Sequence, residues 1–362
     1  MMKLFKSTYS LLMIVSLAIA TILGACTQKK EESINPLMSI DHGVFIVNEG
    51  PYGSGTGSIS YFSKGLNSLT NDLFQTKNNY PLGNVVQSMN IINNKAYIVV
   101  NNANKIEVAD ANTFIAQAPI TGLNQPRYVL GVNAIKAYIT QWGPTGNEGG
   151  VQVLNLLTNT ISGTITTGKG AEKMLLKGNF VYVTCSGGSG KDSVVTVINA
   201  TSDAVVATIN VGASPGGIVE DLNGNIWVLC AGQYKSDYSG LEKSGSLVKI
   251  NPISNTVELK IPFTSTSDMP SGLTINGAKN KLYYNYEGKV ISQNVASPVL
   301  DNTTFANRSF YGLGVDPSTE IVYGADAGNY ASAGKVLRYN ASTGVVIDSM
   351  TVGLIPNGFV FR

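Results

Sequence analysis

The sequence predicts an all-β protein: a seven-bladed β-propeller of four-stranded blades, closed by a C-terminal strand that completes blade 1. Three observations carry this reading. A short apolar strand with an aromatic anchor recurs seven times along the 362 residues. A second, alternating strand follows each one across a polar loop rich in Gly and Asn. Helical periodicity is almost absent.

In chain order, residues 1–25 read as a signal peptide. Lys3 and Lys6 precede an apolar run over 11–23, and Leu23-Gly24-Ala25-Cys26 follows. A positive start, a short apolar stretch and small residues before a cut describe a secretory signal. The run is shorter than the roughly 20 apolar residues of a membrane span. Leu-Gly-Ala-Cys resembles a bacterial lipobox, which implies that Cys26 becomes an acylated N-terminus and lipid anchor. The alternative is an ordinary secretory signal with an incidental cysteine. Residues 26–41 then form the acylated Cys and tether, and 42–362 the propeller. Loss of Lys3 and Lys6 reduces the 25 basic residues to 23, equal to the 23 acidic ones. A nucleic-acid binder needs a basic footprint, and neither the totals nor any cluster supplies one. Nucleic acid is excluded as a partner.

The anchor strands are GVFIVN, KAYIVV, KAYITQ, FVYVTC, NIWVLC, KLYYNY and EIVYGA. Their aromatic residues, Phe45, Tyr97, Tyr138, Tyr182, Trp227, Tyr283 and Tyr323, are spaced 52, 41, 44, 45, 56 and 40 residues apart. The partner strands include SISYFS, KIEVAD, GVQVLN and VVTVIN, and several run through an Asn/Asp-plus-Thr/Ser turn into a third strand. A small residue or Pro then opens a fourth, as in QPRYVLGV and SPGGIVED. Two sandwich domains would not repeat one motif seven times. The first unit begins at its anchor and lacks the Pro-led strand, whereas Pro356–Arg362 is an unpartnered copy of it. That copy is expected to supply the innermost strand of blade 1 and remove the exposed sheet edges. Cys185 and Cys230 follow their anchors by three residues in successive units, so they point the same way. A disulfide needs Cβ atoms about 4 Å apart; two buried free thiols are predicted instead.

Catalytic groups are scarce. The single histidine, His42, sits at the edge of blade 1, so a Ser-His-Asp relay or a His-rich metal site lacks its parts. Asp221-Leu-Asn-Gly-Asn225 faintly resembles a calcium loop, but Asn-Gly between two strands is first of all a hairpin turn. Glu49 with Asn48 is a further cation candidate on no better grounds. The glycines of NEGPYGSGTGS suggest a phosphate cradle, yet an alternating strand follows them rather than a helix. The loop is expected to be a mobile hairpin. A non-catalytic protein without a catalytic cofactor or metal is the expectation.

Strand alternation places the loops that join each anchor strand to its partner on the same face as those entering the innermost strands. The former are long in blades 1, 3, 4, 5 and 7 and short in blades 2 and 6, which predicts walls around a trough. The walls carry Tyr52, Trp142, Tyr234, Tyr238 and Tyr330, with Tyr286 beneath them in blade 6. Tyr and Trp offer contact area and a polar tip at low entropic cost; packing between loops is the alternative use. One residue past each opening Pro or small residue lie Gln87, Arg127, Glu172, Gly216, Ser271, Tyr311 and Asn357, expected to ring the channel mouth. Arg127 and Arg308 are the expected specific contacts.

The units VYVTCSGGSGKDSVVTVINATSDAVVATINVG and IWVLCAGQY…SGSLVKINPISNTVELKI resemble the YncE-like, "surface layer protein" propellers over residues 42–362. NEGPYGSGTGSISYF behind a lipoprotein signal resembles the Bacteroidetes surface-lipoprotein branch of that family, including its BtuG cobalamin-capturing type. Lys30-Glu31-Glu32 looks like the acidic surface-export signal of that group. The resemblance implies an outer-membrane, outward-facing propeller that captures cobalamin for a TonB-dependent, BtuB-like transporter. A cell-surface adhesion or scaffold propeller binding glycan or protein is the alternative. Streptogramin-lyase-like propellers share the fold but depend on a channel histidine that this chain lacks.

Overall fold

Each blade grows from an antiparallel hairpin whose alternating side chains are apolar on both faces, because blades stack on two sides. The computed structural model describes Ile40 and residues 42–362; the signal, Cys26 and most of the tether lie outside the described residues. The inner strands are Val86–Ile92, Pro126–Gly131, Ala171–Lys177, Pro215–Glu220, Ser271–Ile275, Gly312–Val315 and Pro356–Phe361. Each contacts the inner strands on either side of it, so the seven close a ring around an axial channel. Six blades are four-stranded sheets. Blade 2 has three strands, and residues 116–120 touch its edge only through the bridges Ala109↔Ala116 and Ile106↔Ile120. Pro119 lies in that segment, between the two bridges. Among the described residues no helix is long and apolar enough to cross a membrane.

The predicted closure is present. Val44 pairs with Phe361, Phe45 with Val360, Ile46 with Phe359 and Val47 with Gly358. Arg362 extends the seam into blade 2, donating from Nη1 to the carbonyls of Ile40 (3.1 Å) and Ala111 (2.8 Å) and from Nη2 to Asn94 Oδ1 (3.0 Å).

All seven anchors are at most 1% exposed. Three also latch onto the next blade. Tyr97 donates to Asn159 Oδ1 (3.1 Å), Tyr182 to Asn255 Oδ1 (2.6 Å), and Tyr138 to Asp203 Oδ1. The acceptors have left-handed φ of 54°, 54° and 56°, a conformation that Asn and Asp tolerate. Four residues earlier, Asn155, Asn251 and Asn199 close the same turns by accepting the N–H of Leu157, Ile253 and Thr201 (2.9 Å each). The repeated Asn-x-x-x-Asn/Asp thus serves its own turn first and the preceding blade's anchor second.

A second repeated latch sets the opposite, upper face. The residue before the inner strand is left-handed at Val85, Gln125, Gly170, Ser214 and Ile355. Its carbonyl accepts the N–H of the first residue past the second strand: Asn101 (2.8 Å), Trp142 (3.2 Å), Ser186 (2.9 Å), Ala231 (3.0 Å) and Glu49 (2.7 Å). Left-handed φ is costly for β-branched Val85 and Ile355, and these bonds hold them there.

Cys185 and Cys230 are free and buried, as predicted. Burial pushes their thiols up to about 11 and about 12. Neither should react with an alkylating reagent at pH 8 until the protein unfolds, a point checked by labelling mass across a denaturant series. Deleting 356–362 should expose the inner edge of blade 1 along Gly43–Asn48 and give an aggregating or unfolded chain. A truncated monomer with unchanged melting would contradict the closure.

Candidate binding site

The inner strands begin with a register shift: between Val86 and Ser88, Pro126 and Val129, Ala171 and Met174, and Ser271 and Thr274. A bulge turns two successive residues where alternation would allow one. The mouth therefore receives Tyr128 beside Arg127, Lys173 beside Glu172 and Ser88 beside Gln87. Simple alternation hid Tyr128 and Lys173 from the sequence.

Arg127 is the hub. Its Nη2 meets Glu172 Oε1 at 3.1 Å and its Nε donates to Oε2 at 3.3 Å, a bidentate pair. Nη1 donates to Gln87 Oε1, and the guanidinium stacks 4.2 Å from the Trp142 ring centre. Burial alone would lower the Arg127 pKa; Glu172, Tyr128 and Glu49 together outweigh it and hold it above the usual value. Burial, then Glu172, pushes the Tyr128 phenol up to about 12. Burial also lowers the Lys173 ammonium, with Glu172 partly offsetting it; that ammonium sits 5.9 Å from the Tyr128 ring centre.

The seam between first and last strands supplies the other half. Tyr311 donates to Glu49 Oε2 at 2.9 Å. Asn357 Nδ2 lies 3.4 Å from the same oxygen and 3.2 Å from the Gln87 carbonyl. Burial, reinforced by Glu49, raises the Tyr311 pKa. Glu49, Gln87, Tyr128, Lys173, Tyr311 and Asn357 line a cavity of about 390 Å³, and its formal charges, with Arg127 and Glu172 added, cancel. A second cavity, about 510 Å³, lies over blade 6, where Ser271, Asn285, Tyr286, Tyr311, Asp326 and Tyr330 face it. Tyr311 belongs to both, and its ring meets Tyr330 edge-on at 5.6 Å.

The predicted residues divide accordingly. Gln87, Arg127, Trp142, Glu172, Tyr311 and Asn357 converge on the mouth. Arg127 is not the free donor expected of it, because Glu172 and Gln87 occupy its fork. Arg308 is likewise tied, donating to Asp326 Oδ2. Gly216 faces open space, with nothing within 4 Å of where a Cβ would stand. Tyr286 is buried on Phe263 (4.6 Å), and its hydroxyl accepts the Ser265 N–H at 2.7 Å, so it forms floor. Tyr234 and Tyr238 sit 6.0 Å apart on blade 5's loop. Tyr52 and Tyr238 are 82% and 79% exposed, clear of both cavities.

The trough exists over blade 6. Above blade 2, the blade-1 loop is pinned rather than mobile: Asn84 Nδ2 donates to the Pro51 (2.7 Å) and Ser54 (3.1 Å) carbonyls, and Gly53 N–H donates to its Oδ1 (3.1 Å). Gly50, at φ +75°, is required there, since a Cβ would lie 2.5 Å from the Thr56 carbonyl oxygen. His42 is exposed. Asp221 spends its carboxylate on the Asn223 and Asn225 N–H groups (2.9 Å each) and the Trp227 indole N–H (2.9 Å). Its turn is a structural one. Among the described residues no cluster of three or more His, Cys, Asp or Glu could hold a metal.

Glu172→Gln should cost roughly 3 kcal/mol in urea unfolding, because it strands an enclosed guanidinium. Replacing both partners, Arg127→Met with Glu172→Leu, should restore most of that loss. A double variant that costs as much as the sum of the two singles, Arg127→Met and Glu172→Leu, would show that the pair is not coupled.

The chain belongs to the family described as Domain of unknown function (DUF5074), whose model matches residues 42–362. Among curated proteins, none matches it in sequence. A quinonprotein alcohol dehydrogenase-like protein of Bacteroides thetaiotaomicron superposes with a TM-score of 0.65 at 16% identity, covering 89% of this chain and 79% of its own. The periplasmic gluconolactonase of Pseudomonas aeruginosa gives 0.62 at 12% identity, covering 88% and 98%. Hydrazine synthase of Kuenenia stuttgartiensis gives 0.58 at 13% identity, covering 77% and 92%. At these identities the likeness is one of fold alone, shared by proteins named as enzymes and others of unknown function.

Proposed function

We propose that this propeller is a surface-anchored, non-catalytic binding protein whose upper face captures a bulky, amide-bearing small molecule, by resemblance a corrinoid. The observation that carries the reading is the pair of cavities joined through Tyr311. One is polar with balanced charges, and the other carries tyrosine on floor and wall. A charge-balanced mouth rich in donors and acceptors suits neutral amides better than anions, while tyrosine faces suit the apolar edges of a large ring. Acid–base chemistry finds no support in the same groups, because Arg127, Glu172 and Glu49 are already paired. By the same resemblance, hand-over to a TonB-dependent transporter is the next step of this proposal.

Calorimetric titration of residues 27–362 with cyanocobalamin tests it. Heat of binding and co-elution at micromolar concentrations are expected, and their absence removes the corrinoid. Tyr311→Ala with Tyr330→Ala should weaken binding about tenfold or more, with an unchanged circular-dichroism spectrum showing that the propeller stays folded.

Tyr52 and Tyr238 favour a second reading, in which a glycan or protein meets the loop tips beyond the cavities. Tyr52→Ala with Tyr238→Ala would then abolish capture on a glycan array, while the Tyr311/Tyr330 pair would not.

A further inference from the structure

The two ends of the propeller expose different apolar chemistry. On the upper face the exposed large apolar side chains are all tyrosines: Tyr52, Tyr234, Tyr238, Tyr311 and Tyr330. The exposed aliphatic residues all lie in the lower-face turns or along the outer strands. Six stand out in those turns: Ile135 (56%), Leu157 (74%), Leu222 (56%), Ile253 (94%), Val299 (61%) and Val345 (63%). Tyrosine keeps a polar tip in water, whereas Leu, Ile and Val offer only hydrocarbon.

The turns that carry these side chains are held rigidly. The Leu157 and Ile253 amides are fixed by Asn155 and Asn251, and the same turns are latched to Tyr97 and Tyr182. Acidic groups nearby are compensated: Asp203 by Lys136 (2.7 Å), Asp316 by Lys64 (3.0 Å), and Glu220 by Lys177 and Lys279 together. These pairs neutralise the named carboxylates on that face. Finally, the first strand, Gly43–Asn48, runs from the lower to the upper face. The tether therefore joins the propeller on the aliphatic face, and residues 26–39 between Cys26 and Ile40 span at most about 50 Å.

We infer that the lower face docks on a phospholipid surface, with the turn-tip aliphatic side chains inserted at the boundary of headgroups and acyl chains. The channel mouth and its tyrosines then face the medium, the pose needed to capture a ligand. Hand-over to a membrane transporter would require the face to lift off, within the reach of the tether. The inference rests on the proposed lipid anchor only for what brings the face to the membrane. The aliphatic face itself is independent of that anchor.

Ile253→Trp and Tyr238→Trp place a fluorophore on opposite faces, both at highly exposed positions. The acylated protein is incorporated in vesicles of phosphatidylethanolamine and phosphatidylglycerol carrying brominated acyl chains. Quenching of at least about half of the added emission is expected for Ile253→Trp and none for Tyr238→Trp. Equal quenching, or none at either site, overturns the docking. Leu157→Ser in the Ile253→Trp background should cut the quenching, whereas Tyr52→Ser should not. If dilution separates a dimer and exposes Ile253→Trp to soluble iodide while brominated lipid has no effect, a second copy occupies the face and the inference fails. Mass spectrometry of the mature N-terminus reports Cys26 acylation separately. Should Cys26 carry no acyl chain, residues 27–362, which contain the compact unit Ile40–Arg362 with all seven blades, are held by an N-terminal histidine tag on nickel-chelating lipid. The same pair of variants then decides the docking without the anchor.

Discussion

The ring has to close, and the closing strand comes from the far end of the chain. Pro356–Phe361 lies against Gly43–Asn48, so blade 1 does not exist until the last residues are in place. Seven inner strands touching in a circle fix one another's tilt and leave no free sheet edge at the axis. The same seam makes half of the candidate site. Glu49 follows the first strand, Asn357 opens the last, and Tyr311 arrives from the neighbouring blade to share the Glu49 carboxylate. Closing the fold and assembling the mouth are one event.

Between blades the bonding is local and repeated. Each anchor fills the gap between two sheets, and in blades 2, 3 and 4 its hydroxyl is bonded to the next blade's turn. Nearest-neighbour coupling of this kind would make an open array fray from its ends. In the closed ring every blade has two neighbours, so no blade is terminal. Arg362 shows how far this goes, because its guanidinium holds Ile40, Ala111 and Asn94 together across the seam.

Period was legible in the sequence, and lateral contact was less so. The anchors, blade count, closure and buried thiols follow from residues recurring about every 45 positions, because a repeated strand must meet a repeated environment. The bulge at the start of the inner strands breaks the two-residue period, and so Tyr128 and Lys173 escaped notice. The Arg127–Glu172 pair was half visible: both were placed on the ring, but equivalent positions of adjacent blades are also lateral neighbours, so opposite charges there satisfy each other first. Asn84 pinning the blade-1 loop left no local signal, since a linker asparagine 30 residues away carries no pattern.

Sequence freedom is distributed differently on the two faces, and this bears on what each face does. Upper loops vary in length from blade to blade, as surfaces shaped around a ligand do. In blades 3, 4 and 5 the outer lower turns are constant in length, because the first and fifth positions of Asn-x-x-x-Asn/Asp are committed to the turn and to the anchor. What remains free there is the outward third position, occupied by Leu157, Thr201 and Ile253. Nothing in the fold requires an aliphatic side chain at that point: Thr201 keeps the same turn with the same 2.9 Å bond as its neighbours. A single exposed Leu or Ile needs no explanation. Aliphatic residues that gather on the face where the tether enters, while tyrosines gather on the other, call for an apolar environment on that side alone.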